Sequence, residues 1–300
     1  MSWLLNTFSR LPLSVLYGVS RFIYVFLYYV IRYRRDVVQE NIFHAFPELK
    51  QNQRKDLEKR FYQHLSRVLV ETAKSASIPA DELRKRMTFT NMQVLREPLD
   101  NHQPVLLLTS HQGNWEWLLQ AVSLELPCPL EAIYKPLHNT EVDKWMKAIR
   151  TRFGGRLIPF REAGRQLLKN RGQLRVFALA NDQVPSKKDL QYWHPFMGRD
   201  AAFFFSPQKL AEATQYTAIY ARLLNDTKMG HYTVEFIKLG NAPYEKNGTE
   251  LIDKYIQVLE ESIRLQPESW LWSNRKWKRS KPGPKAVFSP LSRFSQHDNS

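Results

Sequence analysis

Pro104-Val105-Leu106-Leu107-Leu108-Thr109-Ser110-His111-Gln112-Gly113-Asn114-Trp115-Glu116-Trp117 is the stretch on which the reading of this chain turns. Its first half is a short apolar run, the pattern of a strand buried on both faces. Its second half turns polar and then enters a helix-like segment from Asn114 to Glu125. His111 and Glu116 are five residues apart, which on one regular helix separates them by about 140°. They converge only if His111 lies in the loop at the strand end and Glu116 in the first helical turn, with Gly113 letting the chain bend between them. A carboxylate beside an imidazole fixes one tautomer and steadies the imidazolium formed when the ring takes a proton. Backbone N–H groups at Gly113 and Asn114, at the start of the helix, offer a place for a developing oxyanion. The plainer reading is a strand-end histidine bonded to backbone, with Trp115 and Trp117 as packing residues.

Working outward, residues 51–76 carry Leu57, Phe61, Leu65, Val68 and Leu69 at helical spacing. A shorter helix follows Pro79. After the stretch quoted above, strand-like runs at 130–134, 174–180, 217–224 and 231–239 alternate with helix-like segments at 141–153, 161–170 and 206–214. The last two strands are expected to pair antiparallel across Asn225-Asp226. Leu251, Ile252, Tyr255, Ile256, Leu259 and Ile263 form a helical stripe. Strands alternating with helices predict an α/β layer structure.

The chain has 300 residues, 43% of them apolar and 24% charged, ordinary globular usage that excludes a collagen-like or largely disordered chain. The charge is +15, which favours polyanionic surroundings. Cys128 is the single cysteine, so no internal disulfide and no cysteine-rich zinc site can form. No third ligand is spaced to join His111 and Glu116 at a metal. The G-x-S-x-G elbow of a serine nucleophile is absent beside Ser110. At the N-terminus, Leu11–Ile31 is almost wholly apolar and about 30 Å long as a helix, enough to cross a bilayer. Arg21 at its middle makes it either a marginal spanning helix or an interfacial one with the guanidinium snorkelling. Arg32, Arg34 and Arg35 follow, and they place the next domain on the cytoplasmic side if the helix spans. The basic run from Arg275 to Lys285 fits an anionic lipid surface better than nucleic acid, for which no motif is present.

Ser110-His-Gln-Gly-Asn-Trp-Glu116 resembles the H-x4-D/E motif of the bacterial lipid A secondary (lauroyl/myristoyl) acyltransferases, a branch of the lysophospholipid acyltransferase superfamily. Further stretches resemble that family in order: Asn41-Ile-Phe-His-Ala-Phe-Pro-Glu48, Tyr134-Lys135-Pro136 with Asn139, Arg152-Phe-Gly154, Asp182-Gln183, Pro195-Phe-Met-Gly198, Pro267-Glu-Ser-Trp-Leu-Trp272 and Arg275-Lys-Trp-Lys278. The resemblance implies a mixed, mostly parallel sheet flanked by helices, glycerol-3-phosphate acyltransferase-like, behind a membrane-associated helix. It implies transfer of an acyl chain from acyl carrier protein to a hydroxyl of a lipid A precursor at the bacterial inner membrane. His111 would then be the general base and Glu116 its support, with no cofactor and no metal. Lys135, Asn139, Arg152, Asp182 and Arg275 are the expected substrate contacts, and Asp182 follows a strand end, where the sites of open α/β sheets gather. Lys135 stands where arginine is usual and Asn274 where histidine is usual, so an acceptor such as a lysophospholipid or an aminolipid stays open, as does an inactive membrane-binding relative. The expected organisation is an anchor or interfacial helix over 1–35, a catalytic domain over 36–282 and a disordered tail over 283–300.

Overall fold

The computed structural model describes residues 2–281; the expected tail at 283–300, with Lys285, lies outside them. Helices α1 (Ser2–Ser9) and α2 (Leu13–Val25) open the chain, and a π-helical turn over Phe26–Val30 extends α2. Then come α3 (Arg35–Ala45), α4 (Gln51–Lys74), α5 (Ala80–Arg86), β1 (Met87–Phe89) and α6 (Gln93–Asp100). The central run follows as β2 (Val105–Thr109), α7 (Trp115–Glu125), β3 (Leu130–Tyr134), α8 (Thr140–Thr151), β4 (Arg156–Pro159), α9 (Ala163–Lys169) and β5 (Val176–Ala180). A hairpin of β6 (Gln191–Phe196) and β7 (Arg199–Phe204) leads to α10 (Ser206–Thr214), β8 (Thr217–Asn225), β9 (Tyr232–Gly240) and α11 (Glu250–Leu265).

Seven strands form one sheet in the order β1-β9-β8-β2-β5-β3-β4. All neighbours are parallel except β8 and β9, the antiparallel pair expected from the sequence. The α/β class, with a mostly parallel sheet flanked by helices, is thus as the sequence predicts. β2 and β5 are apolar on both faces because both faces are covered. Leu106, Leu108 and Phe177 pack with α11 and the hairpin on one side, while Val105, Leu107 and Val176 pack with α7 on the other.

The hairpin turns at Met197-Gly198, both at positive φ, which suits the twist of the paired strands. Phe203 is fully buried in this hairpin's core. Helix α2 does not stand apart as an anchor. It buries Leu16 and Ser20, and its Tyr17 hydroxyl donates to Glu71 of α4. Its other face is exposed and apolar, with Phe22 77% exposed. The stretch Leu13–Val30 is long and apolar enough to cross a membrane.

Candidate functional site

The register of the sheet builds the site. Thr109 on β2 pairs with Ala180 on β5, so two residues further along each strand His111 meets Asp182. Between these strands the connections part: β2 leads into α7 on one face of the sheet, and β5 leads into the hairpin and α10 on the other. A crevice therefore opens at the strand ends, as topology dictates for open α/β sheets. Asp182 Oδ1 lies 2.7 Å from His111 Nδ1, and Asp182 Oδ2 accepts from the His111 backbone N–H at 3.0 Å and from Trp270 Nε1 at 2.9 Å. The carboxylate is buried, whereas the imidazole keeps 21% of its surface. Burial alone would lower the imidazole's pKa, but the Asp182 carboxylate overrides it and the net shift is upward. Burial would raise Asp182, but the imidazole and its hydrogen bonds overcome that and hold it below the usual carboxylate value.

The expected hydrogen bond between His111 and Glu116 is not made. Glu116 sits in the first turn of α7, and its carboxylate takes two hydrogen bonds from Arg150, at 2.8 Å from Nε and 2.6 Å from Nη2. The reason is geometric: Asp182 already occupies the Nδ1 side of the ring, and Arg150 projects from α8 onto the carboxylate. Glu116 remains close enough to act on His111 by charge. Trp115 bridges the two groups, its ring edge-on to His111 at 5.2 Å and its Nε1 donating to Glu116.

Gly113 turns the chain as expected, at φ +60°; a Cβ there would come within 2.8 Å of Leu223. Its N–H is bonded to the Ser269 carbonyl, and Asn114 is fully buried, capping α7 through Trp117 N and donating to Glu71. The Gly113 N–H is therefore engaged within the fold rather than free as an oxyanion donor. The C-terminal segment clamps this loop: Leu271 N donates to the His111 carbonyl, and Gln112 Nε2 donates to Ser262 O and Ser269 Oγ. Asn41 in turn holds that segment through the Trp272 and Asn274 carbonyls.

Two other expected contacts have partners within the fold. Arg152 points away from the crevice, its Nη1 bound to the carbonyls of Ser75 and Ile78 beyond the end of α4. Asn139 is the N-cap of α8, its side chain accepting from Glu141 N and Val142 N. Lys135 and Arg275 are exposed. Of the basic residues expected at the membrane, Arg21 and Arg32 are exposed, but Arg34 donates to Ser273 O and Arg35 pairs with Glu58 at 2.8 Å.

Three residues carry more than the sequence indicated. Arg150 holds Glu116. Gln183 places its amide 3.3 Å from His111 Nε2 and lines a cavity of 370 Å³ with Leu27, Leu65, Leu271, Arg34 and Asn274. Lys276 is buried, donates to the Ala202 carbonyl, and lies 3.4 Å over the Phe203 ring. Burial lowers its pKa to about 7 against the pull of Asp182. Gln183 and Lys276 both fall in the stretches quoted for their resemblance. Among the described residues no three His, Cys, Asp or Glu side chains gather as a metal site.

A crevice at the strand ends with an Asp-supported histidine and an apolar cavity beside it is equipped to deprotonate a hydroxyl next to a hydrocarbon chain. Residues 2–279 match the family described as bacterial lipid A biosynthesis acyltransferase, and the chain belongs to that family. It is an acyltransferase family of lipid A synthesis, and the apolar helix near the N-terminus accords with membrane association. No curated protein matches the chain.

Proposed function

We propose that this protein takes an acyl chain from the thioester of acyl carrier protein and transfers it to a hydroxyl of a lipid A precursor, at the cytoplasmic face of the bacterial inner membrane. The observation that carries the reading is the His111–Asp182 hydrogen bond with Nε2 turned toward Gln183 and the cavity. With Nδ1–H donated to Asp182, the Nε2 lone pair is the free base. The incoming hydroxyl displaces the Gln183 amide and gives its proton to Nε2 as its oxygen attacks the thioester carbonyl. The imidazolium rests against Asp182, with the Glu116 charge nearby. Arg150 uses Nε and Nη2 on Glu116, which leaves Nη1 for the carbonyl oxygen as it becomes an oxyanion. Collapse of the tetrahedral intermediate forms the ester, breaks the C–S bond and returns the proton from His111 to the departing thiolate. Because the thioester is already activated, no acyl-enzyme is needed. Lys135 and Arg275, exposed and basic, are the contacts proposed for phosphates of the acceptor.

His111→Ala should lower kcat about 10²- to 10⁴-fold in protein that still unfolds in one cooperative transition, at a Tm reduced by loss of the contact with Asp182; near-native turnover in that variant would refute the base assignment. A different membrane lipid as acceptor is favoured by one feature, Asn274 lining the cavity where the family resemblance leads one to expect histidine. Offering a lipid A precursor and a lysophospholipid to one acyl donor decides between them.

A further inference from the structure

The sheet edge that carries His111 extends outward into a face that is both basic and apolar. Lys187 and Lys188 lie in the loop that leaves β5 after Asp182, Arg161 in the single 3-10 turn after β4, and Arg165 in the first turn of α9. All four side chains are exposed. Of the carboxylates nearby, Asp143 pairs with Lys147, Glu131 with Arg175 and Glu212 with Lys209, and Asp189 accepts from the Ser186 N–H, while Glu162 lies beside Arg161; four exposed cations against Glu162 and Asp189 leave the face net positive. Many other cations of the molecule are matched, as Arg60 is by Glu268, Arg84 by Glu125 and Arg86 by Glu82. Within the basic set lie Phe160, 42% exposed, and Leu190, 57% exposed. The pieces are contiguous. The Phe160 ring lies 5.6 Å from the Phe204 ring, Phe204 pairs with Gln191, and the Phe205 N–H donates to the Leu190 carbonyl.

An apolar centre rimmed by net positive charge has the makeup of a protein-docking surface. Resting on the acyl-transfer reading above, we propose that this face docks the donor, an acidic carrier protein, while the acceptor enters from the side of α2. Charge sign argues for an acidic partner. The exposed apolar face of α2 already supplies the molecule's lipid-facing surface, on the other side of His111, where Leu27, Arg34 and Gln183 meet at the cavity. From β4 to β2 is three strand spacings, about 15 Å, a span that a flexible thioester-bearing arm crosses to reach His111.

The test uses the full-length protein and its Arg161→Glu/Arg165→Glu/Lys187→Glu/Lys188→Glu variant, with Tm confirming that both are folded. The same acyl chain is offered on acyl carrier protein and on free pantetheine, which lacks the protein. Docking at this face raises KM for the carrier-bound donor roughly tenfold or more and leaves transfer from acyl-pantetheine unchanged. Added salt erodes the native protein's advantage and not the variant's. An unchanged carrier KM, or an equal loss with both donors, overturns the proposal. So does weaker binding to anionic phosphatidylglycerol vesicles with carrier KM intact, which would assign the face to the membrane. Native protein that uses acyl-pantetheine but not the carrier protein overturns the docking while leaving acyl transfer standing. Native protein that uses neither thioester overturns the acyl-transfer reading itself, and the docking with it.

Discussion

The Asp182 carboxylate sets the protonation of His111, and pH therefore reads out their contact. In the base role proposed for it the imidazole must be neutral, and its pKa is held above the ordinary value of about 6.5. Activity should accordingly rise with pH along a limb lying above that value. Asp182→Asn removes the charge that opposes burial, so the limb should move to lower pH while kcat falls about 10²- to 10⁴-fold; a pH–kcat profile of both proteins checks this. The pair also stabilises the fold. For His111, raised on folding, that contribution is complete below the unfolded pKa and fades as pH climbs through the folded one. For Asp182, lowered on folding, it is present above the unfolded carboxylate value and fades as pH drops through the folded one. Urea midpoints of Asp182→Asn and native protein should therefore differ most between these limits and converge at either extreme. The histidine could be read from the sequence because a strand, a turn and a helix start announce it within eight residues. Its true partner could not, because Asp182 is 71 positions away and meets His111 only through the Thr109–Ala180 register.

At the scale of elements, α4 is the beam on which the loop bearing His111 rests. Glu71 is fully buried within it and accepts from Tyr17 of α2, Asn114 before α7 and Tyr232 of β9. Its backbone carbonyl accepts from Trp117 Nε1. Burial pushes this carboxyl's pKa upward even though those hydrogen bonds pull it down. Glu71→Leu strands three donors and should destabilise the protein by about 3 kcal/mol or more at roughly 1–3 kcal/mol each. Glu71→Gln keeps an acceptor oxygen and should cost less. Urea unfolding of the two variants gives the order. The long amphipathic helix and the antiparallel pair β8–β9 were legible because their apolar spacing is regular. The β6–β7 hairpin was not: Gln191-Tyr-Trp-His-Pro-Phe196 carries a proline and little alternation, and only packing against α11 and Trp277 makes it a pair of strands.

Over the whole molecule, the apolar helix and the catalytic domain form one body rather than an anchor and a cargo. Residues on one side of α2 and its π-helical extension, Leu16, Ser20 and Tyr28, belong to the folded interior, while Phe22 and Phe26 face outward. Deleting residues 1–35 would expose α4 and remove Tyr17 from Glu71, so the truncated protein should show a lower Tm and aggregate. Phe22→Ser/Phe26→Ser should instead keep the native Tm and lose flotation with anionic vesicles. Sequence could show that this segment is long and apolar; that one side of it is occupied by protein depends on where α4 lies.

The clamp formed by Asn41 and the segment from Ser269 to Asn274 bears on synthesis. The loop bearing His111 is closed by hydrogen bonds with residues made 150 or more positions later. A ribosome that has produced the first 260 residues has therefore produced a sheet and a histidine but no finished catalyst. The protein is expected to stay inert toward the thioester pool until the segment Ser269–Asn274 has emerged, so that chains terminated before it squander no fatty acid.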